Sequence, residues 1–310
     1  MKKCAFVAVI GAPNAGKSTL VNAMVGAKVS IVTQKVQTTR TRIRGVAMVD
    51  ETQLVFVDTP GIFAPRRRLD RAMVAAAWEG LDGADAIVLV VDADAYREGN
   101  SASAKGAARK SAADTDAIIA ELKKRGAKAV LALNKIDRMA RDKLLALISE
   151  LNEHGVFDET FLISASKGYG VDDLKACLAA RAPEGEWMYP EDQLSDISER
   201  LMAAEVTREK IYLRLHEELP YESTVETDSW TRTKKNELRI EQTIYVSREG
   251  HKPIVLGKGG QTLKAIGEAA RGELSELLGE PVHLFLHVKV RQGWADEAAR
   301  YRGMGLEIVD

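Results

Sequence analysis

The run GAPNAGKST at residues 11–19 constrains the fold more than any other part of this sequence. It contains the spacing G-x-x-x-x-G-K-S, with Gly11, Gly16, Lys17 and Ser18 at the fixed positions. An apolar run before it predicts a buried strand, and an amphipathic run after it predicts a helix. Glycines let such a loop turn its N–H groups inward around an anion, and the start of a helix adds further free N–H groups. The order of strand, glycine loop and helix therefore predicts a phosphate-binding loop in an α/β fold. The alternative interpretation of the motif is a glycine-rich turn that matches the spacing by chance.

Two side chains of this loop have expected roles in nucleotide chemistry. Lys17 is placed to reach the β- and γ-phosphates, and the Ser18 hydroxyl is a natural ligand for the magnesium ion that bridges them. The remaining members of the predicted nucleotide-contacting set in this loop are Gly11, Asn14, Ala15, Gly16 and Thr19.

The bulk properties of the chain set only broad limits on function. Its 310 residues suffice for two domains with separate cores. The 44 basic and 45 acidic residues give a net charge of −1, so any nucleic-acid contact requires a local basic patch. Cys4 and Cys177 lie far apart in apolar segments, which argues against a disulfide framework and fits a reducing cytosol. No apolar run is as long as a membrane span, so we expect any membrane contact to be peripheral.

Two segments after the phosphate loop resemble nucleotide-sensing switches. The run QTTRTR begins at Gln37, and a threonine there could complete the magnesium shell while the γ-phosphate is present. Thr39 is the first candidate and Thr38 the second. The run QLVFV at residues 53–57 predicts a strand that delivers Asp58-Thr59-Pro60-Gly61. Asp58 can hold magnesium through water, and the Gly61 N–H can sense the γ-phosphate.

The run NKID at residues 134–137 indicates which base is bound. The Asp137 carboxylate can accept hydrogen bonds from the ring N–H and the amino group of guanine, which adenine cannot offer. Asn134 is expected to join the base-binding loops, and the Lys135 stem to cover the base. A further strand predicted at residues 160–163 ends in Ser164-Ala165-Ser166, where a backbone N–H near Ala165 can donate to the guanine carbonyl.

The segment at residues 97–114, REGNSASAKGAARKSAAD, has almost no large apolar side chains. Its composition predicts a mobile surface loop or a fraying helix start. A weak basic contact to RNA through Lys105, Arg109 and Lys110 is the alternative, and we assign the segment no function.

A linker and a second domain follow. Residues 181–194 carry two prolines, a glycine and acidic residues, which is typical of a linker. Beyond it the patterns predict the element order α-β-β-α-α-β, with Gly257-Lys258-Gly259-Gly260 between the two adjacent helices. A G-x-x-G loop lets a sugar-phosphate backbone approach closely, and Lys258 attracts phosphate. The cations expected to form a basic face around it are Arg232, Lys234, Lys235, Arg239, Arg248, Lys252, Lys258 and Lys264.

Taken together, these motifs resemble the Era branch of the translation-factor-like GTPases over essentially the whole chain. The resemblance implies a Ras-like P-loop GTPase domain with a mostly parallel sheet at residues 1–180, a linker at 181–194, and an α+β KH type 2 domain at 195–310. It implies a GTPase that binds GTP, GDP and Mg²⁺, binds the 3′ end of small-subunit (16S) ribosomal RNA and assists 30S subunit maturation. It also implies a monomeric, cytoplasmic protein that can contact the inner membrane peripherally.

One position modifies the implied mechanism. Ile62 stands after Gly61, where Ras-like enzymes place a water-orienting glutamine, so slow intrinsic turnover is expected. Asn14 matches an asparagine that helps hold a potassium ion beside the phosphates in related GTPases, and this similarity implies that K⁺ stimulates the reaction. The resemblance therefore assigns direct catalytic roles to Lys17, Thr39 and Gly61.

Two other classes of function fit part of the sequence. The phosphate loop alone is shared with ATP-dependent phosphotransferases, although the NKID run argues against adenine. A nucleotide-gated scaffold, whose second domain contacts protein and not RNA, is the other alternative.

Overall fold

In the computed structural model, the described residues are 1–33, 35, 38–65, 67–216, 219–294, 297 and 306. They form two compact units. Among the described residues, the first unit contains Met1–Ser30, Thr39–Asp196 and Leu306, and the second contains Ile31–Thr38 and the residues from Ile197 to Glu297.

The first unit is built on a six-stranded sheet with the order β2-β3-β1-β4-β5-β6. The pairing of β2 with β3 is antiparallel and all the other pairings are parallel. Its central strands are nearly continuous apolar runs, as expected for strands covered by helices on both faces. The strands are β1 (Lys3–Ile10), β2 (Ile43–Val49), β3 (Thr52–Asp58), β4 (Ala86–Asp92), β5 (Ala129–Asn134) and β6 (Phe157–Leu162).

Helices cover both faces of this sheet, and alternate residues of β1 contact the two helical layers. Val7 and Val9 pack in one core with helices α1 and α6, whereas Ala8 and Ile10 pack in the other with α2, α3, α4 and α5. The helices are α1 (Lys17–Val25), α2 (Arg68–Glu79), α3 (Ala93–Gly99), α4 (Gly106–Arg125), α5 (Arg141–Asn152) and α6 (Val171–Arg181).

Of the two predictions for residues 97–114, the surface loop is wrong because α3 and α4 cover most of the segment, whereas a helix start is confirmed because α4 begins at Gly106. Small residues allow these two helices to pack closely. A Cβ atom on Gly99 would lie only 2.3 Å from the Ala108 carbonyl oxygen and 2.6 Å from the Ala112 Cβ. The absence of large side chains, which suggested disorder, is therefore the feature that permits the helix contact. Lys110 also lies over the Phe63 ring, with its Nζ 5.5 Å from the ring centroid.

The predicted linker is held against the first unit by backbone and side-chain hydrogen bonds. The buried Gln53 side chain donates to the Tyr189 carbonyl and accepts from the N–H groups of Met188 and Tyr189 at 2.8–3.0 Å. The Val46 N–H donates to the Leu194 carbonyl. Both cysteine thiols are free.

The second unit packs three helices on one face of a three-stranded sheet. The sheet order is β7-β8-β9, with an antiparallel β7–β8 pair and a parallel β8–β9 pair. The elements are α7 (Glu199–Arg214), β7 (Ser223–Arg232), β8 (Leu238–Val246), α8 (His251–Leu256), α9 (Gln261–Leu278) and β9 (Val282–Val290). The predicted order α-β-β-α-α-β is confirmed. Ile31–Thr38 groups with this unit and not with the sequence around it, and side chains of α7 bind the backbone of Val32 and of Thr38.

Among the described residues, no helix combines the length and apolar character needed to cross a lipid bilayer.

Candidate functional site: a nucleotide cleft and a G-x-x-G loop

The phosphate loop joins β1 to α1 at the carboxyl edge of the first sheet. Gly11 has a φ of 153° and Gly16 a φ of 101°. Both lie close to other segments of the same polypeptide. A Cβ atom on Gly11 would lie 2.4 Å from the Val90 carbonyl oxygen, and one on Gly16 would lie 2.2 Å from Asn134 Nδ2. Only glycine fits both positions, so the packing of the loop accounts for these two motif residues. Lys17, Ser18 and Thr19 form the first turn of α1, where backbone N–H groups lack helical partners.

The Lys17 ammonium occupies the interior of the loop. Its Nζ donates to the carbonyl oxygens of Gly11 at 3.1 Å and Ala12 at 3.0 Å, and the side chain is buried. Burial lowers the pKa of Lys17 to about 8, although the nearby Asp58 carboxylate acts in the opposite direction. A bound phosphate would add negative charge beside this ammonium and favour its protonated form.

Three oxygen-bearing side chains meet beside Lys17. Ser18 Oγ and Thr39 Oγ1 lie 2.8 Å apart, and Thr39 Oγ1 lies 3.4 Å from Asp58 Oδ2. Asp58 is completely buried, and its Oδ1 atom makes no hydrogen bond. Burial raises the pKa of Asp58, while the Ser18 hydroxyl and the Lys17 ammonium act against this rise. An all-oxygen set with an unsatisfied buried carboxylate oxygen fits Mg²⁺, and Ser18, Thr39 and Asp58 are the residues that would hold it.

The structure separates the two threonine candidates of the first switch. Thr39 lies beside Ser18, whereas the Thr38 hydroxyl contacts Thr33 Oγ1 at 2.7 Å and the Lys35 carbonyl at 2.8 Å. Gln37, which opens the predicted motif, lies outside the described residues.

The second switch begins at Asp58 and passes close to the phosphate loop. A Cβ atom on Gly61 would lie 3.0 Å from Pro13, so a larger residue would push the two segments apart. The Ile62 N–H donates to the Gly11 carbonyl at 3.1 Å, while the Ile62 side chain is buried in the core with Ala8 and Ile10. An aliphatic side chain in that position cannot orient an attacking water.

Asn134 joins two loops of the predicted base site. Its Nδ2 donates to the Ala15 carbonyl at 2.8 Å, and its Oδ1 accepts from the Ala165 N–H at 3.0 Å. Because Asn134 uses the Ala165 N–H, the expected donor to a guanine carbonyl would be a neighbouring amide, such as that of Ser166.

Asp137 is held in place by Ser164 and Lys167. Its Oδ1 accepts from Ser164 Oγ at 2.8 Å, and its Oδ2 lies 3.2 Å from Lys167 Nζ. The Ser164 hydroxyl and then Lys167 hold the pKa of Asp137 below its usual range. The group is therefore an ionised acceptor, as recognition of guanine requires.

Asp92 is a residue of this site that none of the sequence motifs indicated. Lys135 adopts a left-handed conformation, with φ 63°, and its Nζ donates to Asp92 Oδ2 at 2.6 Å and to the Asn14 carbonyl at 2.8 Å. Asp92 ends β4 at the same sheet edge as the phosphate loop. Its place at the carboxyl end of an apolar run was the available signal.

The G-x-x-G loop of the second unit presents exposed backbone. Gly257, Gly259 and Gly260 have φ values of 72°, 61° and 78°. A Cβ atom on Gly257 would lie 2.1 Å from Thr262 Oγ1, whereas open space surrounds the corresponding positions on Gly259 and Gly260. Gly257 therefore serves packing, and the other two leave room for a ligand backbone.

An apolar side chain beside this loop was also missed. Ile254, in α8, is 55% exposed, although its neighbour Val255 is fully buried. The apolar run before the G-x-x-G loop therefore divides into one core residue and one surface residue.

The predicted basic face is only partly available. Three of its members face carboxylates: Arg232 pairs with Glu280 at 2.7 Å, Arg239 with Glu241 at 2.7 Å, and Lys264 lies 4.0 Å from Glu268. Lys258 is exposed at the loop itself. The positive charge available to a ligand is therefore smaller than the number of basic residues suggested, because three of them face carboxylates.

Comparisons with known proteins agree with this arrangement. Residues 6–135 match the family model for a 50S ribosome-binding GTPase, and residues 218–295 match that for a KH domain. The chain is 57% identical over 306 residues to GTPase Era from Caulobacter vibrioides, covering 99% of this chain and 97% of that one. It is 56% identical over 307 residues to GTPase Era from Maricaulis maris, covering 99% and 98%.

Two solved structures match nearly the whole chain. A crystal structure of Era in complex with MgGDPNP and nucleotides 1506–1542 of 16S ribosomal RNA is 38% identical, with a TM-score of 0.88 over 98% of this chain and 99% of that one. A variant of Aquifex aeolicus Era bound to GDP and AlF₄⁻ is also 38% identical, with a TM-score of 0.87 over the same shares. The predicted fold, a Ras-like GTPase domain followed by a KH domain, is confirmed.

Proposed function

The chain belongs to the Era family of GTPases, and we propose that its nucleotide state controls binding to the 3′ end of 16S ribosomal RNA during 30S subunit maturation. The observation that carries this proposal is that one chain holds an oxygen cluster of Ser18, Thr39 and Asp58 at the phosphate loop, an Asp137 carboxylate aligned by Ser164, and an open G-x-x-G loop. The Era structure with MgGDPNP and a 16S fragment supports it, because this chain aligns with that one over nearly its full length.

The residues around the cleft divide the work of binding and hydrolysing GTP. Lys17 contacts the phosphates, Asp137 selects guanine, and Ser18, Thr39 and Asp58 hold Mg²⁺. The metal, when bound, offsets negative charge on the β- and γ-phosphates. Because the Thr39 hydroxyl already lies 2.8 Å from Ser18, a short adjustment of its segment would complete or release this set of ligands.

In the second unit, the G-x-x-G loop provides the RNA site. The exposed backbone at Gly259 and Gly260 lets a sugar-phosphate chain approach, and Lys258 adds positive charge. Ile254 offers an apolar surface beside the loop for an unpaired base.

Ultraviolet crosslinking of the full chain in growing cells, followed by sequencing of the attached RNA, tests this role. Enrichment of the 3′ end of small-subunit ribosomal RNA is the expected result. Recovery of no RNA above the background of an uncrosslinked sample would support the scaffold alternative and contradict the proposal.

The first switch offers a route for coupling the nucleotide to the second unit. Residues 31–38 pack within that unit, where Glu209 Oε1 accepts from the Val32 N–H at 2.8 Å and the buried Arg208 donates to the Thr38 carbonyl. Thr39 is the next residue along the chain. GTP and Mg²⁺ are thus proposed to order residues 34–42 and 58–62. A displacement of Thr39 would then move the adjacent Thr38, whose carbonyl accepts a hydrogen bond from Arg208 of α7. Residues 34, 36 and 37 lie outside the described part of this segment.

Potassium is proposed to supply, beside the β- and γ-phosphates, the positive charge that an arginine finger supplies in other GTPases. Asn14 holds a left-handed conformation, with φ 62°, at the turn of the phosphate loop, and its carbonyl is tied to Lys135. We expect GTP hydrolysis to be about tenfold faster in potassium chloride than in sodium chloride of equal concentration, since an added cation stabilises the charge that develops on the phosphates.

Steady-state phosphate release in the two salts measures this difference. The Asn14→Ala variant should remove it without abolishing GDP binding, whereas Asn152→Ala on the far α5 helix should leave it unchanged. Equal turnover of the parent chain in both salts would disprove a role for potassium.

Peripheral membrane contact, a cytoplasmic location and a monomeric state remain predictions from the family resemblance.

A further inference from the structure

The outer face of the second unit's sheet carries a pocket at the end distant from the G-x-x-G loop. In β8 and β9, Leu238, Ile240 and Val282 face the helices. On the opposite face of the sheet, Arg239 of β8 pairs in register with His283 of β9, and Glu241 pairs with Phe285. An open pocket of about 310 Å³ lies on this face, beside the β7–β8 turn, and we call it the Phe285 pocket. Its lining includes Lys234, Lys235, Glu237, Arg239, His283 and Phe285.

The floor of the Phe285 pocket carries an aromatic ring with a guanidinium group over it. Phe285 is 43% exposed, and the Arg239 guanidinium carbon lies 4.5 Å from its ring centroid. Glu241 accepts from Arg239 at 2.7 Å and fixes the guanidinium in that position. Exposed aromatic rings and arginine planes are the surfaces on which RNA-binding sheets stack unpaired bases.

Positive charge is in excess at the rim. Glu237 is engaged with His283 at 2.9 Å, and Glu241 with Arg239. Neither Lys234 nor Lys235 makes an ion pair with any described residue, and both side chains are exposed. A stacking floor with two lysines at its rim matches a base joined to a phosphate. An acidic protein segment would use the lysines but would leave the stacking floor unused.

The length of α9 separates this pocket from the G-x-x-G loop. This helix begins directly after the loop at Gln261 and ends at Leu278, shortly before β9 starts at Val282 beside the pocket. Eighteen residues of α-helix span about 27 Å. A KH loop clamps about four nucleotides, so the pocket would contact a different part of the same RNA.

We propose that the Phe285 pocket is a second RNA-binding site, which stacks one unpaired base against Phe285 and Arg239 and places its phosphate at Lys234 and Lys235. This inference rests on the proposed RNA-binding function and adds a second contact to it.

Fluorescence anisotropy of the full chain, with labelled RNA corresponding to nucleotides 1506–1542 of 16S ribosomal RNA, tests the inference. Phe285→Ala should weaken binding about tenfold, as expected for the loss of one stacked base. Phe285→Tyr should restore most of the affinity. The Lys234→Ala, Lys235→Ala double variant should weaken binding and lower the slope of log affinity against log salt by about 1 to 2.

Two controls make failure informative. Leu277→Ala removes another exposed apolar side chain of the same unit, 39% exposed on α9, and should bind as the parent does. The Lys258→Asp, Gly259→Asp variant tests the first site. If this variant loses RNA while the pocket variants bind within twofold of the parent, the inference is wrong and the proposed function stands. If the parent itself does not bind the RNA, the proposed function fails and the inference fails with it.

Discussion

Asp137→Asn should convert this protein from a guanine-specific enzyme to one that prefers xanthine nucleotides. The parent carboxylate is ionised and aligned by Ser164 and Lys167, and we propose that it accepts from two N–H groups of guanine. In the variant, the side-chain amide places an N–H donor opposite the amino group of guanine, which is also a donor. Xanthine carries a carbonyl at that position, and this carbonyl can accept a hydrogen bond from the amide. Sites built around a polar contact reject the mismatched partner by about 10⁴- to 10⁵-fold, so we expect a change in preference of that order.

Competition binding with fluorescent GDP and XDP, together with hydrolysis of GTP, XTP and ATP, measures this switch. Asp142→Asn makes the same change at an exposed position on α5 and should leave specificity unaltered. An Asp137→Asn variant that keeps its guanine preference would show that the base is recognised elsewhere. Hydrolysis of ATP by the parent at a rate equal to that of GTP would favour the phosphotransferase alternative.

The Lys258→Asp, Gly259→Asp double variant should lose RNA binding by about 100-fold or more while keeping its GTPase activity within about twofold. Open space surrounds the Gly259 Cβ position, and aspartate is among the residues that tolerate the φ of 61° found there. The second unit should therefore fold normally. Two carboxylates would then occupy the surface where phosphates must approach, and like charges brought together in an interface cost several kcal/mol.

A matched control makes the same charge change in the first unit, at the end of α4. Lys124→Asp, Gly126→Asp replaces an exposed lysine and a left-handed glycine, with φ 63°, at the end of α4, where a Cβ atom also meets nothing within 4 Å. Circular dichroism and thermal melting are the measurements that test whether both variants keep the fold of the parent. RNA affinity that is equal in the two variants would contradict the assignment of the G-x-x-G loop.

The sequence predicted most of the nucleotide cleft because parallel strands bring their carboxyl ends to one edge of the sheet. Residues at the ends of β3 and β5, and in the loop and helix after β1, therefore meet there, as Asp58, Asn134 and Lys17 do. Asp92 ends β4 at the same edge, but none of the motifs found in the sequence includes it. Its contact with Lys135 depends on the left-handed backbone of that residue, which the sequence did not reveal.

Features that depend on pairing between distant residues were harder to predict. Arg232 meets Glu280, 48 positions later in the chain, so a count of basic residues could not show that this arginine is neutralised. The fit of Gly99 against Ala108 likewise depends on how α3 and α4 pack, whereas composition alone suggested disorder. Ile254 and Val255 are adjacent apolar residues, and only the direction of each side chain on α8 separates surface from core.

The most direct test of the central claim is the affinity of the full chain for nucleotides 1506–1542 of 16S ribosomal RNA, measured with GDPNP and Mg²⁺ and then with GDP and Mg²⁺. If nucleotide state controls RNA binding, the GDPNP form should bind at least about tenfold more tightly, a coupling free energy of about 1.4 kcal/mol. This difference should shrink in Arg208→Ala, which removes the guanidinium that holds the Thr38 carbonyl. Equal affinity of the parent chain in the two nucleotide states would contradict the switch, even if both forms bind the RNA tightly.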